Sequence, residues 1–299
     1  MQEKVLPAVR VNGINLHYQD EGAGRPVLFL HGGFGGVEST LYPKPSVIAG
    51  VLPPESFRTI SFDRRNSGRS QYETGFTTLE DLAADARGLL RKLDADGAIL
   101  IGDSLGGMIA QRFALDYPGA TRGLVLLETS AHIMRRTRRV KAVLLAMRLV
   151  GPRILYRLFR GRFLEPDWSK PIGPDQTEDE TRAALQHDLE FRARLRAMPD
   201  EDLYRYSLGL IRTYVAFSGR DLSEEIGSLR MPVAVLHGSA DTIVGAHHGR
   251  ELARLISGSH LTELPGLGHG LLYYSEGRKA LRRAVNAVIE AQAEGIEAG

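Results

Sequence analysis

The 299-residue chain contains no cysteine, which excludes disulfides and thiolate chemistry and leaves the redox compartment open. It also has little net charge. Its 38 basic and 36 acidic side chains leave +2, so there is no general reason to expect nucleic acid or a membrane surface as partner. No uncharged stretch approaches the roughly 20 residues needed to span a bilayer. The opening residues Met1-Gln2-Glu3-Lys4 hold no apolar h-region, from which a cytoplasmic protein is expected. No internal repeat, low-complexity tract or metal-ligand cluster stands out along the chain, and no cofactor or metal is expected. What the chain has instead is 43% hydrophobic residues, enough to fill the core of one large α/β domain with an insertion.

The most informative string is Ile101-Gly102-Asp103-Ser104-Leu105-Gly106-Gly107, a Gly-x-Ser-x-Gly pentapeptide. It follows an apolar run at 98–101 and precedes a helical run at 108–115. A serine hydroxyl is a poor nucleophile unless a tight strand-to-helix turn exposes it and a base takes its proton. Small residues on either side let such a turn close. Ser104 is therefore the candidate nucleophile.

A base and an orienting acid should follow in the sequence. Residues 231–241 read as a buried strand broken by Gly238, with Asp241 just past its end as the candidate acid. Glu128, which closes the strand at 124–127, is a rival acid. The strand at 260–264 leads into Pro265-Gly266-Leu267-Gly268-His269-Gly270, where a histidine sits between two glycines. His269 is the candidate base, with His237, His247, His248 and His260 as its rivals.

A developing oxyanion needs fixed backbone donors. The N–H of Leu105, opening the helix after the serine, is one candidate. The other lies in His31-Gly32-Gly33-Phe34-Gly35-Gly36, after the strand at 27–30, with Gly33 or Phe34 as donor. This glycine-rich run lacks both the Lys-Ser/Thr ending of a P-loop and the order of a dinucleotide-binding fingerprint.

Read coarsely, 9–11 and 14–18 form a hairpin through Asn12-Gly13. Strands at 27–30, 58–62, 98–101, 123–127, 233–236 and 260–264 then alternate with helices such as 79–93, 105–117 and 246–256. A terminal helix is expected at 278–293, with 294–299 frayed. Such alternation predicts an α/β fold with a mostly parallel eight-stranded sheet flanked by helices. The core is expected at 1–129 and 227–299, interrupted after the sixth strand by a helical cap at 130–226. The cap opens with an arginine-rich amphipathic stretch at 135–159, broken near Gly151-Pro152. Its apolar side is expected to roof an acyl or alkyl pocket, and its arginines to lie along a solvated face. The stretch at 203–217 is expected to return the chain toward the pocket, with its aromatics in the core.

Taken together, His31-Gly32-Gly33, the run Ser61-Phe62-Asp63-Arg64-Arg65-Asn66-Ser67-Gly68-Arg69-Ser70, the Ser104 elbow, Asp241 and Gly268-His269 resemble the α/β-hydrolase-fold serine hydrolases over nearly the whole chain. Asn66 stands where the family's turn usually has glycine, and asparagine tolerates positive φ. Ser104 in place of an aspartate argues against epoxide and carbon–halogen hydrolysis. The resemblance implies cleavage of a small-molecule ester with an apolar moiety, through an acyl-enzyme formed by Ser104, His269 and Asp241. It leaves open a proline iminopeptidase-like aminopeptidase, with Glu165, Asp167 and Glu190 available to hold an ammonium. A carbon–carbon hydrolase, a perhydrolase and a slow-turnover ligand receptor also stay open. Neither nucleic acid nor membrane insertion is expected, and a homodimer is admitted.

Overall fold

The computed structural model describes residues 7–33, 48, 50–73, 77–132, 153–154, 156–158, 193 and 196–297. Eight strands form one sheet: β1 (Ala8–Val11), β2 (Ile14–Gly22), β3 (Arg25–Leu30), β4 (Phe57–Phe62), β5 (Ala98–Asp103), β6 (Thr121–Leu127), β7 (Val233–Gly238) and β8 (His260–Leu264). Their order across the sheet is β1-β2-β4-β3-β5-β6-β7-β8. The first two strands pair antiparallel and β2 joins β4 antiparallel, whereas every pair from β4 to β8 is parallel. Asn12 and Gly13, with φ of 49° and 85°, make the tight hairpin turn that their sequence predicts.

A parallel sheet covered on both faces needs strands that are apolar on both sides. In β5, β7 and most of β6 every position is buried, and alternate residues supply two separate cores. Leu28, Leu100, Leu124 and Val235 face helices α1 (Leu79–Lys92) and α2 (Leu105–Asp116). Phe29, Ile101, Val125 and Leu236 face α5 (Ser275–Glu297) and the segment around Ile48 and Leu52. Helix α1 starts where Thr78 Oγ1 accepts the Asp81 N–H at 3.1 Å and Asp81 Oδ2 accepts the Thr78 N–H at 2.9 Å. This reciprocal box satisfies two donors that a helix start would otherwise leave open.

Two element ends differ most from the sequence reading. Strand β2 continues to Gly22 because Tyr18 to Gly22 pair with β4, a tertiary contact that overrides the polar run Gln19-Asp20-Glu21. The terminal helix continues to Glu297 instead of fraying from 294, carried by the good helix formers Ala291, Ala293 and Glu294.

Between β6 and β7 the chain makes a helical insertion. Its described part is dominated by α3 (Asp200–Phe217), which returns to the core through Ala216 and Phe217. Tyr156 is buried against Leu203, and its hydroxyl donates to Asp200 Oδ1 at 2.9 Å. Helix α3 also lies close on the turn after β4: a methyl group at Gly209 would overlap the Asn66 carbonyl and the Tyr72 ring. Most of the arginine-rich stretch at 135–159, together with Glu165, Asp167 and Glu190, lies outside the described residues.

Candidate active site

The sheet order reverses at β3, which has β4 on one side and β5 on the other. Ligands in open α/β sheets bind outside the carboxyl ends of the strands at such a switch point. The loops leaving β3 and β5 carry Gly32-Gly33 and Ser104.

Ser104 sits on the turn between β5 and α2 with φ 51° and ψ −117°, a backbone conformation that non-glycine residues seldom adopt. Neighbouring strands hold it there. Its N–H donates to the Leu127 carbonyl at 2.9 Å, and its carbonyl accepts the Thr129 hydroxyl at 2.6 Å and the Gly107 N–H at 3.0 Å. The flanking glycines are required by proximity. A methyl group at Gly106 would overlap the Leu30 carbonyl, and one at Gly102 would lie 2.6 Å from the Gly107 Cα.

His269 reaches this serine from the loop after β8. Its Nε2 is 3.2 Å from Ser104 Oγ and its Nδ1 is 2.8 Å from Asp241 Oδ2. The network assigns the tautomer: Nδ1–H donates to the carboxylate, and Nε2 accepts the serine hydroxyl. Asp241 is fixed in turn, since its Oδ1 accepts the N–H groups of Ile243 and Val244 at 2.8 and 2.9 Å. Burial works to raise the Asp241 pKa, but hydrogen bonds from His237 and His269 and the His269 charge outweigh it and hold the group ionised, well below the usual range. The geometry of Ser104, His269 and Asp241 thus matches a Ser-His-Asp triad for ester hydrolysis.

Of the rival residues, Glu128 and His237 acquire other places. Glu128 is not the acid partner of the imidazole; it stands 4.0 Å from His269 Nδ1, and its carboxylate accepts the N–H groups of Gly270 and Leu271 at 2.6 and 3.0 Å. Its own φ of 40° directs it under the histidine loop. His237, buried at the end of β7, donates Nε2–H to the Val244 carbonyl at 2.7 Å and lies 3.3 Å from Asp241 Oδ2. It therefore shapes the loop that carries Asp241. Among the described residues, His269 is the histidine that hydrogen-bonds Ser104.

The electrostatics of the pocket floor are set by three carboxyl groups around one imidazole. Burial, then the charge and hydrogen bond of Glu128, push the Asp103 carboxyl well above its ordinary range. Burial opposes the charged form of His269, yet the Glu128 charge, the Asp241 hydrogen bond and the Asp241 charge outweigh it and raise His269 to about 9.

The loop after β3 is braced from the turn after β4. Arg64 is buried and its Nη2 donates to the Gly33 carbonyl at 2.5 Å. Asp63 anchors the same turn by accepting the Arg69 N–H at 2.8 Å, and Asn66 there has the positive φ, 61°, that its sequence position requires. His31 is buried, with Nδ1 3.0 Å from the Gly32 carbonyl. Burial and the Arg64 charge lower its pKa to about 3, so it is neutral. The contribution of Arg64 was hidden in the sequence, where it reads as one of two adjacent arginines; its partner is Gly33, 31 positions away. Phe34 lies outside the described residues.

A profile of the alpha/beta hydrolase fold matches residues 25–275. The chain belongs to the alpha/beta hydrolase fold family. This alpha/beta hydrolase is 28% identical over 261 residues to the AB hydrolase superfamily protein YisY of Bacillus subtilis, covering 87% of this chain and 90% of the relative. It is 26% identical over 263 residues to the bifunctional esterase/perhydrolase DCH of Acinetobacter calcoaceticus, covering 87% and 91% of the two chains. A thermophilic esterase from Thermogutta terrifontis superposes with a TM-score of 0.66 at 25% identity, over 95% of this chain and 97% of the esterase. Triad geometry within this fold supports serine ester-hydrolase activity. No helix among the described residues is long and apolar enough to cross a membrane.

Proposed function

We propose that this alpha/beta hydrolase cleaves small-molecule carboxylic esters with an apolar moiety, using Ser104 as nucleophile, His269 as base and Asp241 as the group that orients and stabilises the imidazolium. The observation that carries the reading is the continuous chain from Ser104 Oγ through His269 to Asp241, at 3.2 and 2.8 Å. In the first half-reaction His269 Nε2 takes the serine proton as Oγ attacks the carbonyl carbon, then returns it to the departing alkoxide. Water attacks the acyl-enzyme in the second half, with His269 again as base. Negative charge on the tetrahedral oxygen falls to backbone donors. Leu105 opens α2, where the first N–H groups have no intrahelical acceptor, and Gly32 lies so close that a methyl group there would meet Ser104 Cβ; the second donor is Gly33, whose carbonyl accepts from Arg64, or Phe34. We further assign the insertion at 130–226 to a cap that keeps water from the acyl group, on the strength of its described helix α3 lying against the turn after β4.

Steady-state release of p-nitrophenol from acetyl, butyryl and octanoyl esters tests the reading. Wild type should turn over these esters and Ser104→Ala should lose at least about a thousandfold of kcat. A folded Ser104→Ala protein that keeps most of its turnover would overturn the assignment. Perhydrolysis is a second reading, motivated by the likeness to an esterase/perhydrolase. Hydrogen peroxide would replace water in the second half-reaction, and peracid formation from acetate measures it.

A further inference from the structure

Outside the triad, three metal-ligand side chains from two distant parts of the chain meet at one point. His132 lies where the chain leaves β6 for the insertion, and is bridged antiparallel to Asp221 where the chain comes back. His248 and Glu251 stand one turn apart on helix α4 (His247–Leu255). His132 Nε2 is 3.2 Å and His248 Nδ1 is 3.4 Å from the same atom, Glu251 Oε2. All three ligand atoms lie within 4.8 Å of one another. They open onto a recess of about 420 Å³ that His247, Arg250 and Arg254 also line.

We propose that His132, His248 and Glu251 bind a divalent transition-metal ion of the zinc class and so tie the segment leaving β6 to α4. Two of the three edges have the spacing of a coordination shell, and the third is within 4.8 Å. Bonds of about 2.0–2.1 Å at tetrahedral angles separate neighbouring ligand atoms by about 3.4 Å, and the two measured edges fall at or just under this value. Two imidazoles and one carboxylate are a donor set that suits zinc, nickel, cobalt or copper and leaves positions for water. Without the ion, each imidazole can donate an N–H to Glu251. On binding, the two nitrogens present lone pairs in place of those protons, and any proton displaced passes to solvent. Arg250 is engaged by Glu263 through two hydrogen bonds of 2.7 and 2.8 Å, which leaves the Glu251 carboxylate to the imidazoles. His247 packs its ring 4.1 Å from that of His248 at the edge of the cluster.

The test is equilibrium binding of zinc chloride, with nickel chloride in parallel, to the full chain freed of any tag histidines. Wild type, His132→Ala, Glu251→Gln and His269→Ala are compared, and the thermal midpoint is followed with and without zinc. Wild type and His269→Ala should bind one zinc ion per chain and melt higher with it. Since removal of even an outer-shell partner weakens a metal site by about 10–100-fold, His132→Ala and Glu251→Gln should lose at least about 100-fold of affinity together with the thermal shift. Ester turnover by metal-free His132→Ala should equal that of metal-free wild type, because this cluster touches no triad residue. Three results would overturn the proposal: no stoichiometric uptake by wild type, undiminished binding by both cluster variants, or loss of binding in His269→Ala alone. The last would place the ion on the triad carboxylates. Should His132→Ala not fold, Glu251→Gln and His248→Gln decide the matter.

Discussion

The carboxylate of Glu128 accepts the backbone N–H of Gly270 at 2.6 Å, a buried bond that joins the end of β6 to the residue following the triad histidine. Glu128 thereby positions the loop on which His269 is mounted, and it places a negative charge beside the imidazole. The charge has a measurable sign. A general base works only when neutral, and Glu128 heads the forces that raise His269 to about 9. Wild-type kcat/KM should therefore rise with pH along a limb displaced upward from the ordinary 6.5, toward 9. Glu128→Gln keeps the shape but removes the charge, so its limb should move back toward lower pH. A pH profile with p-nitrophenyl acetate reads both, and an unmoved limb would show that the charge does not reach the imidazole.

Asp103 supplies the complementary test. Burial and Glu128 favour the neutral form of its carboxyl, which an amide matches closely in shape and charge. Asp103→Asn should leave ester turnover and the pH limb nearly unchanged, whereas an ionised Asp103 would make the same substitution lower the His269 pKa.

Asp241→Asn should reduce kcat by about 10⁴-fold, because the amide favours the wrong imidazole tautomer and leaves the imidazolium unstabilised. Glu128 cannot take over. At 4.0 Å from His269 Nδ1 it is already committed to the N–H groups of Gly270 and Leu271. Single-turnover acylation kinetics would show the loss in the chemical step, and retention of more than a tenth of wild-type kcat would contradict the assignment.

Arg64 acts through Gly33. Arg64→Met should free the Gly33 carbonyl and slacken the loop proposed to bind the oxyanion. Loss of a whole oxyanion donor costs about 10²–10³ in kcat, and a loosened one should lose less, on the order of tenfold or more, with KM little changed. The same variant leaves a smaller side chain in a buried site, so circular dichroism must accompany the kinetics.

Stability at the nucleophile turn should be sensitive to one methyl group. Gly106→Ala drives a Cβ into the Leu30 carbonyl, whereas a Cβ at Gly119 meets nothing within 4 Å. Urea unfolding should show Gly106→Ala destabilised by about 1–3 kcal/mol or more, and Gly119→Ala close to wild type.

The sequence by itself determined the parallel sheet, the candidate nucleophile Ser104 and the candidate base His269. Strand composition and short-range context are local properties: β5 and β7 are apolar throughout, Gly102 and Gly106 flank Ser104, and two glycines bracket His269. Local pattern could not decide between Asp241 and Glu128, because both close a strand with a carboxylate. Only the fold did so, by turning the Glu128 backbone to φ 40° and spending its oxygens on Gly270 and Leu271. Partnerships that span the chain were likewise invisible in one dimension. Arg64 meets Gly33 across 31 positions and His132 meets Glu251 across 119, so no motif spacing encodes them. The sequence showed no metal-ligand cluster for that reason. Such contacts arise when β3 and β4 pair and when α4 packs beside the exit from β6, which is geometry that only the tertiary structure supplies.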